Sequence, residues 1–74
     1  MTKDKIFSII AFCYGISYKK LSEETKFIED LSADSLSLIE MIDMINLEFN
    51  TKINDSALER IVTIGDLISI VNDK

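Results

Sequence analysis

"FIEDLSADSLSLIEMI", residues 27–42, decides how the chain is read. It begins as a polar connection and ends as an amphipathic run, and the change falls at Asp34-Ser35-Leu36. Leu38, Met41, Ile42, Ile45 and Phe49 recur at helical spacing. That predicts a helix starting near Ser35, burying this face and stopping at Asn50. A helix start leaves its first N–H groups without partners, so Asp34 is a capping candidate. "SLIE", Ser37 to Glu40, offers a competing capping box. Capping accounts for the polar cluster but not for Leu36 and Ile39, which this phase turns towards solvent. An apolar pair beside Ser35, with Glu40 and Asp43 close by, has the makings of a docking surface. A helix N-terminus also tolerates an added phosphate best, because its free N–H groups and dipole favour negative charge.

Upstream, Ile6, Ile9, Ile10 and Cys13 fall at i, i+3, i+4 and i+7 with Tyr14 beside them, which is one face of a first helix. Phe7 and Phe12 fall off that face, and Gly15 sits where a helix end takes a left-handed residue. The stretch "KDKIFSIIAFCYGI" has the length of a signal-peptide core, but Asp4 spoils a basic start and no small-x-small site follows. It is too short to span a bilayer, so a helix of the domain is expected. Residues 16–34 read as a long connection without an element of its own, with Ile16, Leu21, Phe27, Ile28 and Leu31 packing onto the core.

Downstream, Asn54-Asp55-Ser56 offers capping oxygens to a short segment carrying Leu58, Ile61 and Val62. Thr63 or Gly65-Asp66 opens a last helix with Ile64, Leu67, Ile68 and Val71 inward. The expected fold is all-α: a small four-helix bundle of three longer helices and one short, with a long first connection, residues 1–74 forming a single domain.

Composition narrows the function. A chain of 74 residues builds one small domain with a thin core. With 47% hydrophobic residues and no proline it folds rather than staying disordered. The net charge of −5 is unevenly placed. Residues 1–28 hold five lysines against three acids, whereas residues 29–73 hold ten acids against Lys52 and Arg60. Such a field repels nucleic acid and anionic membrane and attracts basic protein surfaces.

The chain has no histidine and one cysteine, which removes most nucleophile–base pairs, the usual zinc sites and any internal disulfide. Cys13 reads as a small hydrophobe of a reducing compartment, hence a cytoplasmic protein. Asp30, Ser32 and Asp34 stand at positions one, three and five of a calcium loop. Its sixth position has Ser35 instead of glycine and its twelfth has Met41 instead of glutamate. No metal site is therefore expected. No catalytic residue is expected either, because Ser35 has no base to activate it.

"FIEDLSADSLSLIEMIDMINLEFNTKI" resembles the acyl carrier proteins, whose attachment motif is Asp-Ser-Leu at the start of the second helix. The Phe-x-x-Asp-Leu approach, the Glu-Phe end of that helix and the Asp55 helix start match as well, and the resemblance covers almost the whole chain. It implies that Ser35 receives 4′-phosphopantetheine from coenzyme A through a separate phosphopantetheinyl transferase, with Asp34 and Leu36 at the attachment site. The arm's thiol would carry acyl groups as thioesters in fatty acid biosynthesis. Leu36, Ile39, Glu40 and Asp43 would form the face that meets basic docking patches on synthase enzymes.

Some positions depart from the family's pattern. Ser32 replaces a common glycine, Ser37 stands where many members have an acid, and Asp43 stands where an apolar contact is common. Asn46 and Leu47 occupy positions that are often acidic, and Asn54 replaces a frequent proline. These departures leave two alternatives: a dedicated carrier for a polyketide, nonribosomal peptide or cell-envelope pathway, and an unmodified helical interaction module. A monomer that binds no nucleic acid and inserts into no membrane is expected.

Overall fold

Ile6 and Ile10, fully buried one turn apart, orient the first helix, α1 (Thr2–Tyr14), in a computed structural model that describes residues 2–72. Ile9, Cys13 and Tyr14 pack at the margins of that face. Gly15 ends the helix at φ 61°, and the Ile16 N–H reaches back to the Ala11 carbonyl at 3.2 Å. This closure needs a left-handed residue, which glycine supplies without a steric clash. Phe7 is buried although it lies off the isoleucine face. The Tyr18 ring covers it edge-on, with centroids 5.7 Å apart and planes at 68°. Phe12 has no such cover and is 78% exposed.

The connection carries elements of its own, where the sequence predicts none. A 3-10 turn forms at Tyr18–Lys20 and a short helix, α2, at Phe27–Leu31. Both are too short for hydrophobic periodicity to register; local hydrogen bonds make them. Ser17 accepts the Lys19 N–H at 3.3 Å, and the Tyr18 hydroxyl donates to Asp4 Oδ1 at 2.9 Å, tying the turn to α1. Asp30 Oδ2 accepts the Lys26 N–H at 2.8 Å and so holds the start of α2. Phe27 is fully buried. Ile28, expected inward, is 59% exposed, because the next residue of a helix is turned by about 100°.

Backbone bonds lace the connection to the entry of the last helix. The Phe27 N–H donates to Val62, the Ile64 N–H to Thr25 and the Gly65 N–H to Glu23, at 3.0, 3.0 and 2.8 Å. A Cβ at Gly65 would sit 3.0 Å from that Glu23 oxygen, so a side chain here would push the two segments apart by a few tenths of an ångström and the close approach favours glycine.

Helix α3 (Ser35–Phe49) buries Leu38, Met41, Ile42 and Ile45 and half-buries Phe49, as its spacing predicts. Asn50 ends it at φ 54°, and the Thr51 N–H returns to the Asn46 carbonyl at 3.1 Å. Lys5 Nζ meets Glu48 Oε2 at 3.4 Å near one end, and the Tyr14 hydroxyl lies 3.1 Å from Ser37 Oγ at the other. Helices α1 and α3 therefore run antiparallel. The Asn46 amide binds both backbone groups of Ile53, donating to its carbonyl at 2.9 Å and accepting its N–H at 3.0 Å. A carboxylate there could accept but not donate.

The short segment after α3 is a 3-10 helix, Asp55–Arg60, burying Ala57, with Ile61 buried just beyond it. Val62 is 52% exposed. Asn54 does not cap this helix with its side chain, which instead accepts the Ser56 hydroxyl at 2.6 Å. The last helix, α4 (Ile64–Asn72), turns Ile64, Leu67, Ile68 and Val71 inward as expected. Of the two openings the sequence offers, Thr63 is the one used. Its hydroxyl accepts the Asp66 N–H at 3.2 Å, and Asp66 Oδ2 accepts the Thr63 and Val62 N–H groups, each at 3.0 Å. The fold is thus all-α, with α1, α3 and α4 around one core, the 3-10 helix as the expected short piece and α2 as an addition.

The two N–H bonds hold the Asp66 carboxyl below the ordinary aspartate range. A depressed folded pKa stabilises the fold above the unfolded value and ceases to do so as pH falls through the folded one. Melting temperature is accordingly expected to fall below about pH 4. Asp66→Asn should lower it at neutral pH and flatten part of that acid limb, which melting curves from pH 2 to 7 would check.

Candidate functional site

The site is built where the connection meets α3. Helix α2 stops at Ser32, which adopts φ 55°, and the Ala33 N–H reaches back to the Phe27 carbonyl at 2.9 Å. Ala33 is buried, and this anchors the chain just before Asp34. The left-handed conformation costs a non-glycine residue about 1 kcal/mol. Ser32→Gly is expected to raise stability by about that amount, less the extra freedom glycine has when unfolded, as denaturant titration would measure.

Asp34 and Ser37 form a reciprocal cap. Asp34 Oδ1 accepts the Ser37 N–H at 2.8 Å, and Ser37 Oγ accepts the Asp34 N–H at 3.1 Å. The helix therefore starts from Asp34, and the competing box of Ser37 and Glu40 is not the one used. The Asp34 carbonyl also takes the Leu38 N–H at 3.0 Å. Ser35 is the first residue of α3, exposed, and its hydroxyl lies outside all of these bonds. A group attached there would not disturb the cap. The N–H groups of Ser35 and Leu36 also lie outside the cap, at the positive end of the α3 dipole, so a phosphodiester on Ser35 fits the site electrostatically.

The sequence reading misses Tyr14 as a support of this tip. Its hydroxyl meets Ser37 Oγ at 3.1 Å, and its ring stands 6.3 Å from that of Phe27. Burial pushes its phenol above the ordinary range. Ser37 could be found from its place three residues after Asp34. Nothing in the sequence joins Tyr14 to it.

Asp30 and Asp34, the candidate calcium ligands, instead accept backbone N–H groups at the starts of α2 and α3. Among the described residues no group of three or more side chains is placed to hold a metal ion. Cys13 is half-buried with its Sγ 3.4 Å from Met44 Sδ. Burial, with the Glu40 carboxylate nearby, pushes its thiol up and so weakens it as a competing nucleophile.

Along the outer face of α3, Leu36 is 65% exposed, and Glu40 and Asp43 are exposed too. Ile39 departs from the expectation of an outward pair and is half-buried. Three residues of helix place it only about 60° from buried Ile42, at the margin of the core. Among the described residues the ion pairs are Lys3–Glu23, Lys5–Glu48 and Lys26–Glu29, so neither Glu40 nor Asp43 has a cation partner. No described helix is long and apolar enough to cross a membrane.

The family profile for the phosphopantetheine attachment site matches residues 4–71. An acyl carrier protein of Shigella flexneri is 75% identical over 73 residues, covering 99% of this chain and 94% of that protein. One from Shigella dysenteriae matches with the same identity and coverage. An acyl carrier protein of Thermotoga maritima is 40% identical over 70 residues, covering 95% of this chain and 86% of that protein.

Proposed function

The chain belongs to the acyl carrier proteins of the phosphopantetheine attachment-site family, and from that premise we propose that Ser35 bears the arm. The protein is a non-catalytic carrier of acyl groups on covalently attached 4′-phosphopantetheine, in keeping with fatty acid biosynthesis. The observation that carries the assignment of Ser35 is its position: an exposed hydroxyl at the first residue of α3, left free by a cap its neighbours complete. The arm supplies a thiol that holds acyl groups as thioesters.

The remaining roles belong to this chain's own residues. Ser35 Oγ provides the oxygen of the phosphodiester. Asp34 fixes the helix start around it, and Leu36 lies beside it as the first apolar contact. Leu36, Ile39, Glu40 and Asp43 form the face offered to a phosphopantetheinyl transferase and to synthase enzymes with basic patches. Residues 1–74 act as one acyl-carrier domain, a monomer of the cytoplasm.

The carrier reading is tested by charging the loaded protein with a radiolabelled acyl group and treating it with neutral hydroxylamine. Release of the label is the thioester result; label that resists release lies on an oxygen or nitrogen and contradicts it. The docking face has its own test. Glu40→Lys is expected to slow association with the transferase severalfold at low ionic strength. The effect should shrink towards physiological salt, where charges are screened beyond about 8 Å. Stopped-flow association rates across a salt series measure it.

A further inference from the structure

Leu47 is 85% exposed, more than any other large hydrophobic side chain described, and nothing derived so far uses it. It stands on α3 at i+11 from Leu36, with Glu40 at i+4 and Asp43 at i+7. At 100° per residue these four positions fall within about 60° of one another, so they form one straight stripe on the outer face of the helix. The stripe is about 16 Å long, at 1.5 Å per residue. Its two ends are exposed leucines, and its middle is two carboxylates without a cation partner among the described residues. Glu48, the next acid along, lies off the stripe and is engaged with Lys5 of α1.

A leucine this exposed buries almost no apolar surface in the fold, yet buried against a partner it strengthens binding by about tenfold or more. We propose that Leu47 is a second apolar anchor for partner enzymes, and that it selects partners by spacing. The matching surface has two apolar pockets about 16 Å apart with basic side chains between them, complementary in charge to Glu40 and Asp43. The anchor extends the docking face proposed above and rests on that reading. It adds a contact three helical turns from Ser35, beyond the part of α3 that attachment chemistry requires. The occupant is a condensing enzyme, which lies along the helix and depends on Leu47, whereas an enzyme that grips only the tip of α3 ignores it. Specificity among partners then follows from the second pocket, since an enzyme without it leaves the leucine in water.

The test uses the full-length loaded protein, with a condensing enzyme of fatty acid synthesis from the source organism as the probe. Leu47→Ala is expected to raise KM about tenfold with kcat unchanged, the factor one buried leucine contact represents. Melting temperature should not move, because the side chain is exposed. Leu47→Glu should raise KM as much, and combining Leu47→Ala with Leu36→Ala should multiply the two effects, as independent anchors do. If Leu36→Ala raises KM and Leu47→Ala does not, the docking face stands and the second anchor is overturned. If sedimentation shows a dimer that Leu47→Ala dissolves while KM is unmoved, the leucine serves a second copy of the chain, and the proposal is overturned. If the wild-type protein takes up no arm at all, the carrier reading fails first and takes this proposal with it.

Discussion

Ser35→Ala is expected to abolish loading of the arm completely while leaving the helical fold intact. The two halves follow from the same geometry. The hydroxyl is the only atom removed, and it lies outside the bonds that start α3. The cap is made by Asp34 and Ser37, and the chain before it is anchored by buried Ala33. Alanine is also a good residue for the first turn of a helix. A change in melting temperature of more than a few degrees would mean the hydroxyl supports the fold after all. Residual loading in the variant would mean that another side chain accepts the arm. Cys13 is a poor candidate because it is half-buried with its thiol pushed up. Intact mass after incubation with coenzyme A and a transferase reads the first half, and circular dichroism melting reads the second.

Ile45→Ala is expected to cost about 2–5 kcal/mol, the range for truncating a buried isoleucine. Ile45 is completely buried in the middle of α3. A domain of this size holds stability near the lower end of the usual 5–15 kcal/mol, so the loss is roughly half or more of the total. The melting temperature should drop by roughly 8–40 °C, since each kcal/mol moves it by about 4–8 °C at this length. Ile39→Ala, at the margin of the core, should cost clearly less. The reverse order would place the wrong face of α3 inward and remove the docking stripe with it.

The long helices were legible because burial imposes a period on them. Leu38, Met41, Ile42 and Ile45 announce α3, and Ile64, Leu67, Ile68 and Val71 announce α4, and all eight are buried. Helix-ending signals are equally plain at Gly15 and Asn50, which both take positive φ. The connection was not legible, because its elements rest on single hydrogen bonds such as Asp30 to Lys26 and Tyr18 to Asp4. Such bonds leave no period, and their partners are fixed only once the chain has folded back. The same limit explains Phe7, whose burial depends on Tyr18 arriving from the turn, and Tyr14, whose partner Ser37 is 23 residues away.

At the site, Asp34, Ser35 and Leu36 were marked by the motif. Ile39 is half-buried because it falls on the boundary between the two faces of α3, where spacing alone does not decide which way a side chain turns.

The most direct measurement is fragment mass spectrometry of the wild-type protein after loading, which locates the arm among the chain's eight serines and its one cysteine. The expected result is a single phosphopantetheinyl group on Ser35 and none elsewhere. A group on any other residue, or no group on a protein that is folded, contradicts the account.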